Sequence, residues 1–300
     1  MADQTVSVIR PGDLGKTDPF TIAIVSNPAL EQPWNSGRFV ADSILSNPVG
    51  FTTCVQYVDA ALFGLLPGQA EQLLSDPRIR VISIWIFNAD GDIGDPFSFV
   101  AEDGTSNLAV ARRDQLAAYM ASLNIYADLV FAVTGSSTHT RATSWFTTDD
   151  NARRGVNFTL DGVSFSHRCY FTIPGTTALP VSASSLTALH EFQHAISSYQ
   201  NGSVLDLYMD SQPALNIKRG RPIPPDFSRY NGTTFATDPT RDGLGYPAGW
   251  LSYHCELIDS NYPSVMDDYW QAPGGIPERC RNDRITRQFI LDRISAKMAR

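Results

Sequence analysis

Four short apolar runs, Phe20 to Ser26, Cys54 to Val58, Ile79 to Phe87 and Leu129 to Thr134, most tightly limit how this chain can fold. They are too short for long helices and draw heavily on Val, Ile and Phe, as strands buried on both faces do. Helical patterns fall between them. Gly37 to Leu45 and Gln69 to Leu74 are short candidates. Asn107 to Leu123 is the clearest, with Asn107 as cap and Leu108, Ala111, Leu116, Tyr119 and Leu123 near one face. Strands alternating with helices predict an α/β fold, a mixed sheet covered by helices.

The start of the chain is polar and broken by Pro11, Gly12, Gly15 and Pro19, so residues 1–19 read as an arm outside the core and residues 20–300 as a single domain. From Asn157 to Ile173 the pattern alternates around Asp161-Gly162, which predicts a hairpin ending just before Pro174. Residues 201–247 are rich in Gly, Pro, Asn and Asp and read as a long ordered excursion, a feature that is usually functional in a compact domain. A last amphipathic helix, Asp283 to Met298, turns Ile285, Phe289 and Ile294 toward the core.

A net charge of -8 without clustered Lys and Arg argues against a nucleic-acid surface, because phosphate contacts need concentrated positive charge. No stretch approaches the roughly 18 to 20 apolar residues of a membrane span. Met1-Ala2-Asp3-Gln4 lacks the basic segment and apolar core of a signal peptide. A leader can be removed from a mature chain, so secreted and cytoplasmic locations both stay open. The four cysteines, Cys54, Cys169, Cys255 and Cys280, form no C-x-x-C pair, which leaves up to two disulfides or buried thiols and argues against a Cys-type zinc site.

One group carries a specific chemical signature. Ser182 to Gln200 reads as a helix, with serines to cap it, Leu186, Leu189 and Ala195 at apolar spacing and Asn201-Gly202 to close it. Within it stands His190-Glu191-Phe192-Gln193-His194. Two histidines four apart share one helix face and can meet one Zn²⁺ at about 2.0 to 2.1 Å, while the Glu beside the first can take a proton from metal-held water. Burying a Glu and two His in an otherwise apolar helix is costly without a partner, and a metal supplies one. A structural site would need no such base.

The pentad resembles the HExxH zinc metallopeptidases, the zincins. The resemblance implies a zincin-like catalytic domain built around the HExxH helix. It also implies Zn²⁺ as cofactor, a peptide or protein as substrate, His190 and His194 as ligands and Glu191 as general base. Asn201-Gly202-Ser203-Val204-Leu205-Asp206 is similar to the turn-plus-Asp segment of Asp-ligand zincins, and loosely to that of bacterial IgA-cleaving metallopeptidases, which makes Asp206 the third metal ligand. Ser197 and Gln200 stand where metzincins carry Gly and the third His, so a plain metzincin is excluded.

Two rivals for the third ligand lie between Gly249 and Asp259. His254 offers the commoner zinc-binding side chain, and Glu256 resembles the second-helix Glu of gluzincins. On a helix the two point about 200° apart, so at most one faces a metal. Pro263-Ser264-Val265-Met266-Asp267-Asp268-Tyr269 resembles a Met-turn, and Tyr269 or Tyr208 is then placed to donate to an oxyanion. Two alternatives keep the motif but change the function: a non-catalytic metal-binding protein, and a zinc amidase acting on a non-peptide amide.

Other features stay ordinary. Asn88, Asp90, Asp92 and Asp95 alternate like a calcium loop, but Phe99 stands where the bidentate Glu belongs. His139 and His167 have no motif around them, and Lys218-Arg219-Gly220-Arg221 is too short to bind nucleic acid.

Overall fold

The computed structural model describes residues 3–17, 19–31, 33, 36–42, 47–66, 69, 71–87, 100–102, 109–135, 142–146, 158–160, 163–165, 169–174, 186–195, 203–204, 234–236, 251–253, 265, 282, 287, 290–291, 294–295 and 298–299. It is an α/β protein. Two compact units are present, one of residues 1–59 and 76–179 with residue 300, the other of residues 60–75 and 180–299.

The first unit is built on a six-stranded mixed sheet. Its strands are β1 (Asp3–Pro11), β2 (Thr21–Ser26), β5 (Arg80–Phe87), β8 (Leu129–Thr134), β9 (Thr143–Phe146) and β12 (Cys169–Pro174), in the order β1-β5-β2-β8-β12-β9. Strands β5, β2, β8 and β12 run parallel, and antiparallel β1 and β9 close the two ends. Every residue of β2 and β8 is buried, as their unbroken apolar runs require of strands covered on both faces. Short hairpins pair β3 (Ala29–Glu31) with β4 (Phe39–Ala41) and β6 (Val100–Glu102) with β7 (Ala109–Ala111).

Helices α1 (Pro48–Phe63) and α2 (Arg113–Ser122) supply the crossovers between parallel strands. Leu116, Ala117 and Met120 of α2 pack on Ile82, Ile84 and Ile86 of β5, while Phe51 and Val55 of α1 lie over Ser83 and Trp85 on its other face. The period-two alternation of a strand thus hands one set of side chains to each helix.

Several expectations are corrected. Cys54–Val58 is the middle of α1, not a strand. Buried Phe51, Cys54, Val55, Val58, Ala61 and Leu62 repeat with helical spacing, and the Asn47 carboxamide caps the start by accepting from Val49 and Gly50 N–H at 3.0 and 3.2 Å, with Pro48 in the first turn. The described part of Gly37 to Leu45 instead yields β4, paired with β3. The helix expected from Asn107 starts at Arg113, because Ala109–Ala111 is drawn into pairing with β6.

Two glutamines anchor the described part of the segment between Gln69 and Leu74, where the sequence predicts a helix. Gln69 Nε2 donates to the Ala61 and Glu71 carbonyls at 3.0 and 2.9 Å, and Gln72 Nε2 donates to the Phe63 and Leu74 carbonyls at 2.6 Å each. These amides tie the segment to the last turn of α1 and to its own carbonyls two residues on, and the described part of the segment is not helical.

The hairpin forms as expected: β10 (Phe158–Leu160) and β11 (Val163–Phe165) pair antiparallel, with Leu160 opposite Val163 across Asp161-Gly162. The residues before Pro174 do not extend that hairpin but enter the main sheet as β12. The segment read as an arm contains β1, which bonds to β5 from Asp3 to Pro11 and leaves most of its side chains exposed. β-branched Thr5, Val6 and Val8 favour the strand, and pairing satisfies one edge of its backbone without burying it in the core. Cys54 is a buried thiol, which limits the other three cysteines to one disulfide at most. Among the described residues no helix is long and apolar enough to cross a membrane.

The second unit holds α3 (Thr187–Ala195) together with β13 (Ser203–Val204), β14 (Thr234–Ala236) and β15 (Leu251–Tyr253), which form a three-stranded sheet ordered β13-β15-β14. Near the end of the chain the described positions from residue 287 to 298 are helical, and Ile290, Ile294 and Met298 are buried at four-residue spacing. Ile294 therefore faces inward as expected, while Ile285 and Phe289 lie outside the described residues. So do the excursion from 201 to 247 apart from β13 and β14, the acidic positions Asn88 to Asp95, His139, His167 and the Lys218 to Arg221 cluster.

Candidate metal centre

Helix α3 carries the pentad. It is described over Thr187–Ala195, the middle of the helix expected from Ser182 to Gln200, and one 3₁₀ residue, Leu186, leads into it. Every residue from Leu186 to Gln193 is buried, so this is a helix enclosed on all sides rather than a surface helix with one apolar stripe. Leu186, Ala188, Leu189 and Phe192 supply the apolar contact that holds it there. His190 at 5% exposure, Glu191 at 7% and Gln193 at 0% are polar groups taken almost completely out of water. Each then needs a partner to offset its desolvation.

The partner of His190 defines its chemistry. Its Nδ1 lies 2.8 Å from the Val265 carbonyl oxygen. A carbonyl can only accept, so Nδ1 carries the proton and, in the neutral ring, the lone pair sits on Nε2. That is the tautomer a metal-ligating histidine needs, with the second ring nitrogen anchored to a backbone carbonyl. The carbonyl comes from the Pro263 to Tyr269 segment singled out as resembling a Met-turn. Only Val265 of that segment is described, as a buried turn residue.

Gln193, three residues on and so beside His190 on the helix surface, gives the pentad a second anchor. Its Nε2 donates to Asn282 Oδ1 at 3.0 Å, and Asn282 Nδ2 in turn reaches the Glu71 carbonyl at 3.5 Å. Among the described residues Gln193 Oε1 has no hydrogen-bond partner. Sequence reasoning missed Asn282 and the Val265 carbonyl as supports. Neither has a local signal, since both reach α3 from more than 70 positions away.

His194 lies in α3 one helical turn beyond His190, so the two positions share a face. The side chain of His194 is outside the described residues, as are Asp206, His254, Glu256, Tyr208 and Tyr269. The strands leading into two of the three ligand candidates are nevertheless placed. β13, which packs against α3, ends two residues before Asp206; β15 ends immediately before His254. β13 and β15 are parallel neighbours, with Val204 opposite Tyr253, so the chain leaves both strands at the same end of one small sheet. Among the described residues no three of His, Cys, Asp or Glu come together. His190 and Glu191 are the members of the predicted set whose side chains are described.

No protein-family profile, curated protein or solved structure matches this chain.

Proposed function

We propose that this chain is a zinc-dependent hydrolase of zincin-like fold that cleaves peptide bonds. The observation that carries the proposal is the 2.8 Å bond from His190 Nδ1–H to the Val265 carbonyl, which holds the imidazole in the metal-binding tautomer inside a buried helix. His190 and His194 would hold the metal with Asp206, or with His254 or Glu256 in its place. Zinc, when bound, polarises a carbonyl and lowers the pKa of the water it holds toward about 7. Glu191, next to the first ligand, accepts the proton that the attacking water loses and returns it to the leaving amine. Its burial keeps bulk water from competing for that proton. The fixed ring of His190 holds the ligand geometry while the proton moves.

The test is metal analysis of the purified chain together with cleavage of casein and a peptide library. Stoichiometric zinc that is lost in His194→Ala, with cleavage lost and zinc kept in Glu191→Gln, is the expected result. Zinc bound without cleavage of any peptide or amide points to a metal-binding protein, and cleavage of non-peptide amides alone points to an amidase. A chain that neither carries nor can be loaded with metal sinks the reading.

A further inference from the structure

β1 is an outer strand of the large sheet: β5 pairs with one side, and among the described residues nothing pairs with the other. Alternate residues of a strand aim their N–H and C=O groups at opposite edges, so β1 presents a row of backbone donors and acceptors outward. Natural sheets blunt such edges with Lys, Pro or a bulge. Thr5-Val6-Ser7-Val8 contains none of these; the register shift and the next charge arrive only between Val8 and Arg10. Val6 and Val8 are also 47% and 55% exposed. They lie on the face opposite Thr5, Ser7 and Ile9, which line a cavity of about 270 Å³ beneath α1.

We propose that a second copy of this chain covers the edge, its β1 pairing antiparallel with this β1 about a twofold axis through Ser7. In that register Val6 of each copy meets Val8 of the other, and Thr5 meets Ile9, so the exposed β-branched side chains become cross-strand pairs. Charge selects the direction. β1 carries Asp3 near one end and Arg10 near the other. Antiparallel pairing brings the Asp3 position of each copy beside the Arg10–Asp59 pair of its mate, whereas parallel pairing sets the two Asp3 positions together. Arg10 is held at the strand end by its bonds to Asp59, 2.6 and 2.9 Å long. A closed, self-complementary contact results, as twofold dimers require.

The test uses the full chain. Ser7→Cys places two thiols across the axis with Cα atoms about 4.5 to 5.5 Å apart, within disulfide reach. Mild oxidation should give a covalent dimer that neither wild type nor Leu14→Cys gives. Sedimentation should show wild type as a dimer, and Val6→Lys with Val8→Lys as a monomer of unchanged circular dichroism. Exchange of the alternate amides in residues 5–8 that face away from β5 should be slow in wild type and fast in that double variant, while those bonded to β5 stay slow in both. A monomeric wild type overturns the proposal: slow exchange at the edge would mean that another stretch of this chain covers it, and fast exchange that the edge is open or takes a strand from a different protein. A dimer that survives the double variant overturns it as well, and absence of the Ser7→Cys cross-link overturns the twofold register.

Discussion

Two buried polar groups, one in each unit, are built on opposite principles. At the ends of β2 and β8, fully buried Asp42 accepts from Gly135 N–H at 2.9 and 2.8 Å, from Thr134 Oγ1 at 3.2 Å and from Asn27 Nδ2 at 3.4 Å. Asn27 Nδ2 also donates to the Ala29 carbonyl at 2.8 Å. Around α3, Gln193 has one half of its carboxamide bonded to Asn282 and the other half unanswered among the described residues. A closed network of this kind rigidifies the core it sits in, and an open one marks strain or function. Position makes the contrast sharper. β2 is joined onward to β5 on one side and β8 lies on its other, so the crevice beyond β2 and β8 is where open α/β sheets usually take a ligand. Here the described side chains at that point are spent on one another.

The largest difference should appear when each centre loses its acid. Glu191→Gln is expected to lower kcat/KM by about a hundred- to ten-thousand-fold, with zinc content and the urea midpoint unchanged. Asp42→Ala should do the reverse: a loss of about 3 kcal/mol in urea unfolding, because several donors are left without their charged acceptor, and unchanged zinc per folded molecule. If Asp42→Ala leaves stability intact, the network at the sheet end is not what locks it.

Alkaline titration probes the apolar part of the same sheet. Burial in the core beneath β5 pushes the Tyr119 hydroxyl up from 10.0 to about 12. The folded pKa is raised, so the stabilising contribution is complete below pH 10 and is lost as pH rises through about 12. Stability measured against pH should fall in that window, and Tyr119→Phe should flatten the fall.

How far the sequence discloses all this depends on the range of the forces involved. β2 and β8 are legible because a strand buried on both faces must be apolar throughout, and the pentad is legible because its chemistry is carried by neighbours on one helix. Cys54–Val58 misleads as a strand because five residues are too few to separate a two-residue from a helical period; Asn47 and Pro48, just upstream, hold the deciding signal. Gly37 to Leu45 misleads because β4 exists only by pairing with β3. Val265 and Asn282 are illegible for a similar reason: what they do for α3 is set by folding, from far along the chain. Asp206, His254 and Glu256 remain the sequence's own candidates, and the parallel pairing of β13 with β15 adds that two of them follow adjacent strand ends.

The smallest effect separates the two centres most finely. Asn282→Leu alone should cost about 2 kcal/mol, since both ends of the buried Gln193 carboxamide then lack partners among the described residues. Gln193→Leu alone should cost about 1 kcal/mol, because it strands Asn282 Oδ1 while removing an oxygen that had no partner among the described residues. Replacing both with Leu removes the polar pair together, so the double variant should return close to wild-type stability and the cycle should show a coupling of about 3 kcal/mol. Asp42→Ala has no such apolar partner swap, because one of its donors is the Gly135 backbone N–H, which only a proline at that position would remove. Urea unfolding of the four forms measures the coupling. Additive costs would mean that Gln193 and Asn282 act independently, and the open centre would then lose its claim to be a network at all.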